Sequence, residues 1–470
     1  MTVRSKSGSK SLRQPAKAEA ANSAASDRQN EDQRDTIFAL SSAPGRAGVA
    51  VFRVSGPSAD RALSFLTGKE LPDERRAEIR TLFDKSTNSR IDNILVLRFI
   101  PPRSYTGENI VEFQTHGGKA VVASMLEALA KIPGLRPAKP GEFTRRAVEN
   151  GRLDLTQAEA IADLINAETD AQRLQALRQY DGELGALYDG WREQLIKAAA
   201  WLEAAIDFAE DEVPPSALAE SKHSISLILN RIQVHLADGR RGEILREGLH
   251  VAIVGPPNVG KSSLVNALAQ RDVAIVSDAP GTTRDVIEVR LDLDGYPVIL
   301  ADTAGIREVQ HGVEAEGVRR AEARARDADL RLLLLDGTAE APLAGLEPGL
   351  VGAADLTVWN KSDLAGPRRE GMQVSAKTGE GLQILIKELS LRAKISLEHV
   401  NDAPVLTRAR HRQALEEAAS SLARVIETFA QPELAAEELR RALRSIGRIT
   451  GRVDLEELLD AVFRDFCVGK

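Results

Sequence analysis

The chain has 470 residues, is 43% hydrophobic, and carries a net charge of −7 with a pI near 5.7. That length suits roughly three domains, and no apolar run is long enough to span a bilayer. The acidic balance excludes a chain-wide nucleic-acid footprint, so any RNA contact must use local basic patches. One cysteine, Cys467, excludes an internal disulfide, and the expected location is a reducing cytoplasm.

Residues 1–34 are rich in Ser, Ala, Lys, Arg, Gln and Asp and are expected to be a disordered extension. The basic start has no apolar stretch behind it, which argues against a secretory signal. Asp27, Glu31 and Asp32 argue against a mitochondrial transit peptide, the competing reading. From Asp35 to residue 151 the pattern mixes strands (Val49 to Val54, Asn93 to Ile100, Asn109 to Thr115) with an apolar helix from Ala120 to Ile132, as in an α+β domain. Residues 152–248 change to helical period, as in Leu153, Ala160, Ile161, Leu164 and Ile165. Residues 249–393 alternate strand and helix, the layout of a doubly wound α/β domain. Residues 394–470 return to a helical pattern expected to run to the end. An α/β domain thus splits one helical domain, with turn residues at its junctions, Gly248 and Asn401 to Pro404.

The α/β segment carries a guanine-nucleotide kit. Gly255-Pro-Pro-Asn258-Val259-Gly260-Lys261-Ser262 fits G-x-x-x-x-G-K-[ST], between the apolar run His250 to Val254 and a helix start at Ser263. Its glycines let successive N–H groups face a phosphate, and the helix N-terminus adds positive potential. Lys261 is expected to reach the β- and γ-phosphates and Ser262 to hold Mg²⁺. Asp302-Thr303-Ala304-Gly305 follows a short strand and suits Mg²⁺ and γ-phosphate sensing. Asn360-Lys361-Ser362-Asp363 follows the strand Leu356 to Trp359. One carboxylate there accepts both N1–H and N2–H₂ of guanine, so Asp363 selects GTP over ATP. Ser375-Ala376-Lys377 supplies a loop for the guanine O6. The residues after Gly305 are Ile306 and Arg307, so no glutamine stands where Ras-type enzymes position the attacking water. Glu308, His311, Glu314 and Glu316 are the candidates, and spacing does not choose among them.

Further motifs carry a resemblance. Pro44-Gly-Arg-Ala-Gly48, Arg53-Val-Ser-Gly56, Tyr105-Thr-Gly-Glu108, His116-Gly-Gly118, Lys139-Pro-Gly-Glu-Phe-Thr144, Asn150-Gly-Arg-Leu-Asp-Leu155, Gln157-Ala-Glu-Ala160, Gly281-Thr-Thr-Arg-Asp285 and Phe466-Cys-Val-Gly-Lys470 occur in this order. From Asp35 to Lys470 the chain resembles the MnmE (TrmE) family of tRNA modification GTPases. The rival reading, a GTPase timer of ribosome assembly, lacks a counterpart to the N-terminal domain and the Cys467 tail. The resemblance implies a multidomain fold. An α+β folate-binding-like N-terminal domain is followed by a discontinuous all-α domain with an inserted Ras-like α/β P-loop GTPase domain. It implies a homodimer that, with the flavoprotein MnmG in a heterotetramer, installs aminomethyl or carboxymethylaminomethyl groups on the wobble uridine of tRNA. The one-carbon unit comes from 5-formyl- or methylene-tetrahydrofolate, and K⁺ switches GTP hydrolysis on.

Carried over by motif, the folate site is Arg53, Glu112, Arg152 and Lys470, with Arg152 where many relatives have Lys. Without the resemblance, Arg53 and Glu112 read as an ordinary ion pair between strands. The K⁺ site is Asn258, Ser277, Ala279 and Thr282, within a nucleotide-contacting stretch that adds Asp278, Pro280 and Gly281. Ser277 departs from a common Thr. Thr283 is the second Mg²⁺ ligand. The water-positioning acid matches Glu314, which on residue type alone is a solvated helix-start charge. Cys467 is expected to serve tRNA modification and not GTP hydrolysis. Its ordinary reading is a small buried hydrophobe, although Lys470 favours its thiolate. Arg440, Arg444 and Arg448 fall four apart. If the helix passes Gly447, they form a basic stripe for tRNA or for a partner, or a solvated face with local Glu partners.

Overall fold

The computed structural model describes residues 35–208, 213–275, 288–302, 326–344, 346, 352, 354–364, 369–397, 404–453, 459, 462, 463, 466, 468 and 469. The chain divides into two compact units, Met1–Asp154 with Glu456–Lys470, and Leu155–Leu455.

The first unit is a six-stranded sheet in the order β3-β4-β5-β2-β1-β6. Its strands are β1 (Thr36–Leu40), β2 (Ala47–Ser55), β3 (Glu78–Asp84), β4 (Ser89–Phe99), β5 (Ile110–Gly117) and β6 (Leu135–Pro137). Alternation fixes the two faces. Ala50, Phe52 and Val54 of β2, with Val111 and Phe113 of β5, point into a core closed by helices α1 (Ala59–Thr67) and α2 (Lys119–Ala130). The opposite face carries Arg53 and Glu112, which are register partners. Beside them Ile37 and Ala39 pack with Phe143 of α3 (Glu142–Glu149). The last described residues belong here too. Val468 bridges Pro140, and a Cβ on Gly469 (φ +98°) would lie 2.2 Å from the Leu40 carbonyl oxygen, so only glycine fits.

The second unit has two cores. One is a bundle of α6 (Glu183–Asp207), α7 (Pro215–Leu236), α11 (Ala409–Glu427) and α12 (Pro432–Thr450), in which Tyr188, Leu195, Ile228, Ile232, Leu415, Leu422, Leu439 and Ile446 are buried together. Helices α4 (Leu155–Asn166) and α5 (Asp170–Tyr180) lead into it. The other core is a doubly wound sheet, β12-β11-β10-β7-β9-β8. Its members are β7 (Leu249–Val254), β8 (Glu288–Leu293), β9 (Tyr296–Asp302), β10 (Leu330–Asp336), β11 (Leu356–Asn360) and β12 (Met372–Gln373). Only β8 is antiparallel. The apolar runs of β7 and β10 are buried on both faces, which suits central parallel strands. Helices α9 (Lys261–Ala269) and α10 (Leu382–Leu397) pack on this sheet.

Helix α12 ends at Thr450, where Gly451 closes it in the left-handed region at φ +78°, and Leu459 and Val462 are again helical. The terminal segment then joins the first unit.

Both ends of the nucleotide-binding segment are tied to one helix. Before β7, helix α8 (Arg241–Glu247) runs so close to residues 405–407 that a Cβ on Gly242 would lie 2.3 Å from the Leu406 oxygen. Gln172 of α5 donates to the Arg246 carbonyl (3.0 Å), and Thr407 donates to Gln179 of α5 (3.0 Å). A cavity of about 130 Å³ lined by Asp163, Gln172, Gln175 and Arg246 lies at this junction and not at the nucleotide loops.

Beside it Glu159 is buried among cations. Arg410 donates to both its carboxylate oxygens (2.6 and 2.7 Å), and His411 Nε2 lies 2.9 Å away. His411 Nδ1 is buried without a partner among the described residues, so a second ring proton would find no acceptor there. Burial, with Arg410 adding to it, pushes this imidazole from 6.5 down to about 4. Between those values the unfolded chain takes up a proton that the folded chain refuses. Stability therefore falls as pH drops through that window. Thermal midpoints measured from pH 7 to pH 4 should show this fall, and His411→Gln should flatten it. An unchanged slope in the variant would sink the assignment.

Candidate guanine-nucleotide site

The P-loop joins β7 to α9. A Cβ on Gly255 would lie 2.2 Å from the Leu334 oxygen, so the loop passes β10 at a distance only glycine allows. Asn258 stands in the left-handed region at φ +61°, and Gly260 at φ +96°. A Cβ on Gly260 would press on Asn360 Nδ2 at 2.5 Å. Gly260 caps α9 with no side-chain acceptor, and the first turn holds no acidic residue, so its amides are suited to an anion. Lys261, 8% exposed, donates from Nζ to the carbonyls of Gly255 (2.8 Å) and Pro256 (2.9 Å). Its charge is thereby held over the loop. Ser262 and Ser263 follow in the first turn of α9, as expected of residues under a phosphate.

The loops expected to read guanine converge on one side chain. Asn360, at the end of β11, donates from Nδ2 to the Val259 carbonyl (2.8 Å) and accepts from the Ala376 amide at Oδ1 (3.0 Å). It thus links the P-loop to the loops of Asn360–Asp363 and Ser375–Lys377. The buried Ser375 hydroxyl donates to Asp363 Oδ1 (2.6 Å) and accepts from the Thr378 amide (3.1 Å). That donation fixes the direction of the Asp363 carboxylate. Ser362 N–H bonds the Val374 carbonyl at 3.1 Å, closing the two loops on each other. The backbone of Asp302 is the register partner of Ile253 in β7, at the same end of the sheet.

Asp336 was not foreseen from the sequence. It accepts from Lys361 Nζ at 2.6 Å. The Asp-Gly-Thr turn after an apolar strand was the available signal. The side chain of Asp302, with Ser277, Asp278, Ala279, Pro280, Gly281, Thr282, Thr283, Thr303, Ala304, Gly305, Glu314, Cys467 and Lys470, lies outside the described residues.

In the first unit, Arg53 donates from Nε (3.0 Å) and Nη2 (2.9 Å) to Oε1 of Glu112. Its guanidinium stacks 4.9 Å from the Tyr105 ring and 5.7 Å from Phe143. A Cβ on Gly107 would lie 3.2 Å from Arg152 Cγ, so Arg152 packs on the same Tyr105–Gly107 segment. Helix α12 runs through Gly447, which brings Arg440, Arg444 and Arg448 to one face. Arg440 pairs with Glu203 and Glu437, and Arg448 with Glu417. The stripe therefore has local acidic partners at both ends, as a solvated face does.

The model of the MnmE helical domain matches residues 155–467, and that of the GTP-binding protein TrmE N-terminus matches residues 36–152. The chain belongs to the MnmE (TrmE) family. The first family model ends at residue 152 and the second begins at residue 155, beside the division of the two units at Asp154 and Leu155. The tRNA modification GTPase MnmE of Parvibaculum lavamentivorans is 53% identical over 443 residues, covering 93% of this chain and 100% of its own length. MnmE of Rhodospirillum rubrum is 52% identical over 455 residues, covering 93% and 99%. The human mitochondrial protein named 5-taurinomethyluridine-[tRNA] synthase subunit GTPB3 is 48% identical over 459 residues, 93% of each chain. Among solved structures, the G domain of the T. maritima FeoB iron transporter aligns with 31% of this chain and 98% of its own at 28% identity. Its TM-score of 0.23 is too low to carry an argument. The MnmE layout of an α+β N-terminal domain, a helical domain and a Ras-like α/β GTPase domain is the one expected from the sequence.

Proposed function

We propose that the chain is a GTP hydrolase acting in tRNA wobble-uridine modification, with MnmG as flavoprotein partner and a tetrahydrofolate one-carbon donor. The observation that carries the GTPase reading is Asn360, which joins the P-loop to both guanine loops while Ser375 aims Asp363. Ser262, in the first turn of α9, and Thr283 would hold Mg²⁺, which neutralises charge on the β- and γ-phosphates. Lys261 would move from the loop carbonyls to the phosphates.

The folate reading assigns Arg53, Glu112, Arg152 and Lys470. Oε1 of Glu112 takes both Arg53 bonds. Oε2 takes none among the described residues, so the carboxylate keeps an open acceptor for a pteridine donor edge. Arg152 suits an anionic glutamate tail. A homodimer is supported by an apolar row on the sheet face away from α1 and α2. There Ile79, 70% exposed, stands beside Leu95, and Val51 continues the row beyond Gln114. Cys467 is read as serving modification alone. We read residues 35–151, 152–248, 249–393 and 394–470 as the functional segments and the cytoplasm as the location. Among the described residues no helix is long and apolar enough to cross a membrane.

The K⁺ site would comprise Asn258, Ser277, Ala279 and Thr282. Ile306 stands immediately after Gly305, where Ras-type enzymes carry glutamine, and K⁺ would supply positive charge against the γ-phosphate. GTP turnover should be on the order of tenfold or more faster in K⁺ than in Na⁺. Asn258→Ala should remove the difference. Equal turnover of the wild-type protein in the two salts would exclude the site.

The function itself is tested by mass spectrometry of wobble uridine in tRNA from cells with and without this protein. Loss of the 5-substituted uridine without it is expected. An unchanged nucleoside profile would overturn the proposal.

A further inference from the structure

We propose that Asp336 is a positioning residue for the guanine-reading loop, acting through Lys361. Strands β10 and β11 end side by side, with Asp336 and Asn360 as register partners. Asp336 Oδ2 accepts from Lys361 Nζ at 2.6 Å. Its Oδ1 accepts from the Thr338 amide (2.9 Å) and hydroxyl (2.7 Å), so the carboxylate is held from both sides. Gly337 N–H donates to the Asn360 carbonyl at 2.9 Å, and a Cβ on Gly337 would lie 2.9 Å from that oxygen. The turn after β10 is therefore docked on the start of the guanine loop.

Lys361 needs this support. It leaves β11 at φ +67°, a left-handed conformation costly for a residue with a Cβ. That reversal brings Asp363, two residues on, to Ser375. The ion pair anchors the side chain at the reversal. Although burial opposes it, hydrogen bonds from Lys361 and Thr338 hold the Asp336 carboxyl below its usual range, so it is charged at neutral pH. A second tie runs alongside. Arg369 donates to the Ala339 carbonyl and stacks 4.9 Å over Trp359, whose indole N–H donates to Glu370. In this proposal Asp336 acts through Lys361 and Thr338, its partners in the structure, and not on the nucleotide itself. Its chemistry is to fix where the guanine carboxylate points.

The inference rests on the guanine-site reading, and its test separates the two. The full chain is assayed for mant-GDP binding and for GTP turnover. Asp336→Asn keeps the shape and the Thr338 contacts but removes the charge. It should weaken mant-GDP binding about tenfold, the scale of a charge-assisted hydrogen bond, with kcat at saturating GTP nearly unchanged. In a Lys361→Met background the same change should add nothing, because the tether is already gone. Equal loss in both backgrounds would mean that Asp336 supports the fold and not Lys361, and would overturn the proposal. Wild-type affinity in Asp336→Asn would overturn it as well. Asp363→Asn is the control: if it keeps mant-GDP binding, the guanine-site reading itself falls.

Discussion

Glu314→Ala is expected to lower kcat for GTP hydrolysis by on the order of 10²–10⁴-fold, the range for a positioned acid–base group, with GTP affinity close to wild type. The attacking water needs an orienting acceptor, and Ile306 and Arg307 provide none after Gly305. Glu314, in Val313-Glu-Ala-Glu-Gly317, is proposed as the water-positioning acid. Affinity is spared because it is built elsewhere. Asn360 and Ser375 fix the guanine loops, and Gly260 and Lys261 fix the phosphate loop. Single-turnover hydrolysis with measured Kd separates the two quantities. If Glu308→Ala or Glu316→Ala stops turnover while Glu314→Ala does not, the role belongs to that residue instead.

Glu159→Ala should destabilise the helical part of the second unit by about 3–5 kcal/mol, the usual cost of removing one partner from a buried ion pair. Glu159 is 1% exposed and faces Arg410, His411 and, at 3.3 Å, Arg408. Arg408 keeps Asp163, and Arg410 keeps the Ile449 carbonyl. His411 keeps no partner among the described residues, so alanine leaves its ring N–H unbonded in a buried site. Chemical denaturation gives the value. Glu159→Leu should recover part of the loss, because an apolar side chain fills the space. A loss below about 1 kcal/mol for alanine would show that water reaches the site.

The nucleotide loops were legible in the sequence because each is a contiguous motif with its strand beside it. Gly255, Gly260, Asn360 and Asp363 stand where the pattern placed them. Register between strands was not legible, and so Asp336 and its bond to Lys361 were missed. Gly447 left the helix open for a different reason. A glycine can end a helix, and here α12 continues past it. A Cβ there would lie 2.7 Å from Val453 Cγ2, so this glycine serves close packing and not chain reversal. The glutamines of α5 carry no motif at all. Their task, holding Arg246 and Thr407 on one helix, exists only once residues 74 and 228 apart in sequence meet.

The split bundle has a consequence for synthesis. Helices α6 and α7 emerge early, but α11 and α12, which cover Leu195, Leu202, Ile228 and Ile232, lie beyond the whole nucleotide-binding segment. Roughly 170 residues separate the end of α7 from the start of α11, on the order of 10–30 s of translation. Through that interval the ribosome carries a half-bundle with its apolar face in water. The sheet of the inserted segment can close meanwhile, since its strands follow one another closely in the chain. The helical core must therefore form last of the two, at a pace set by the ribosome, and the exposed face of α6 and α7 is where a chaperone would be needed.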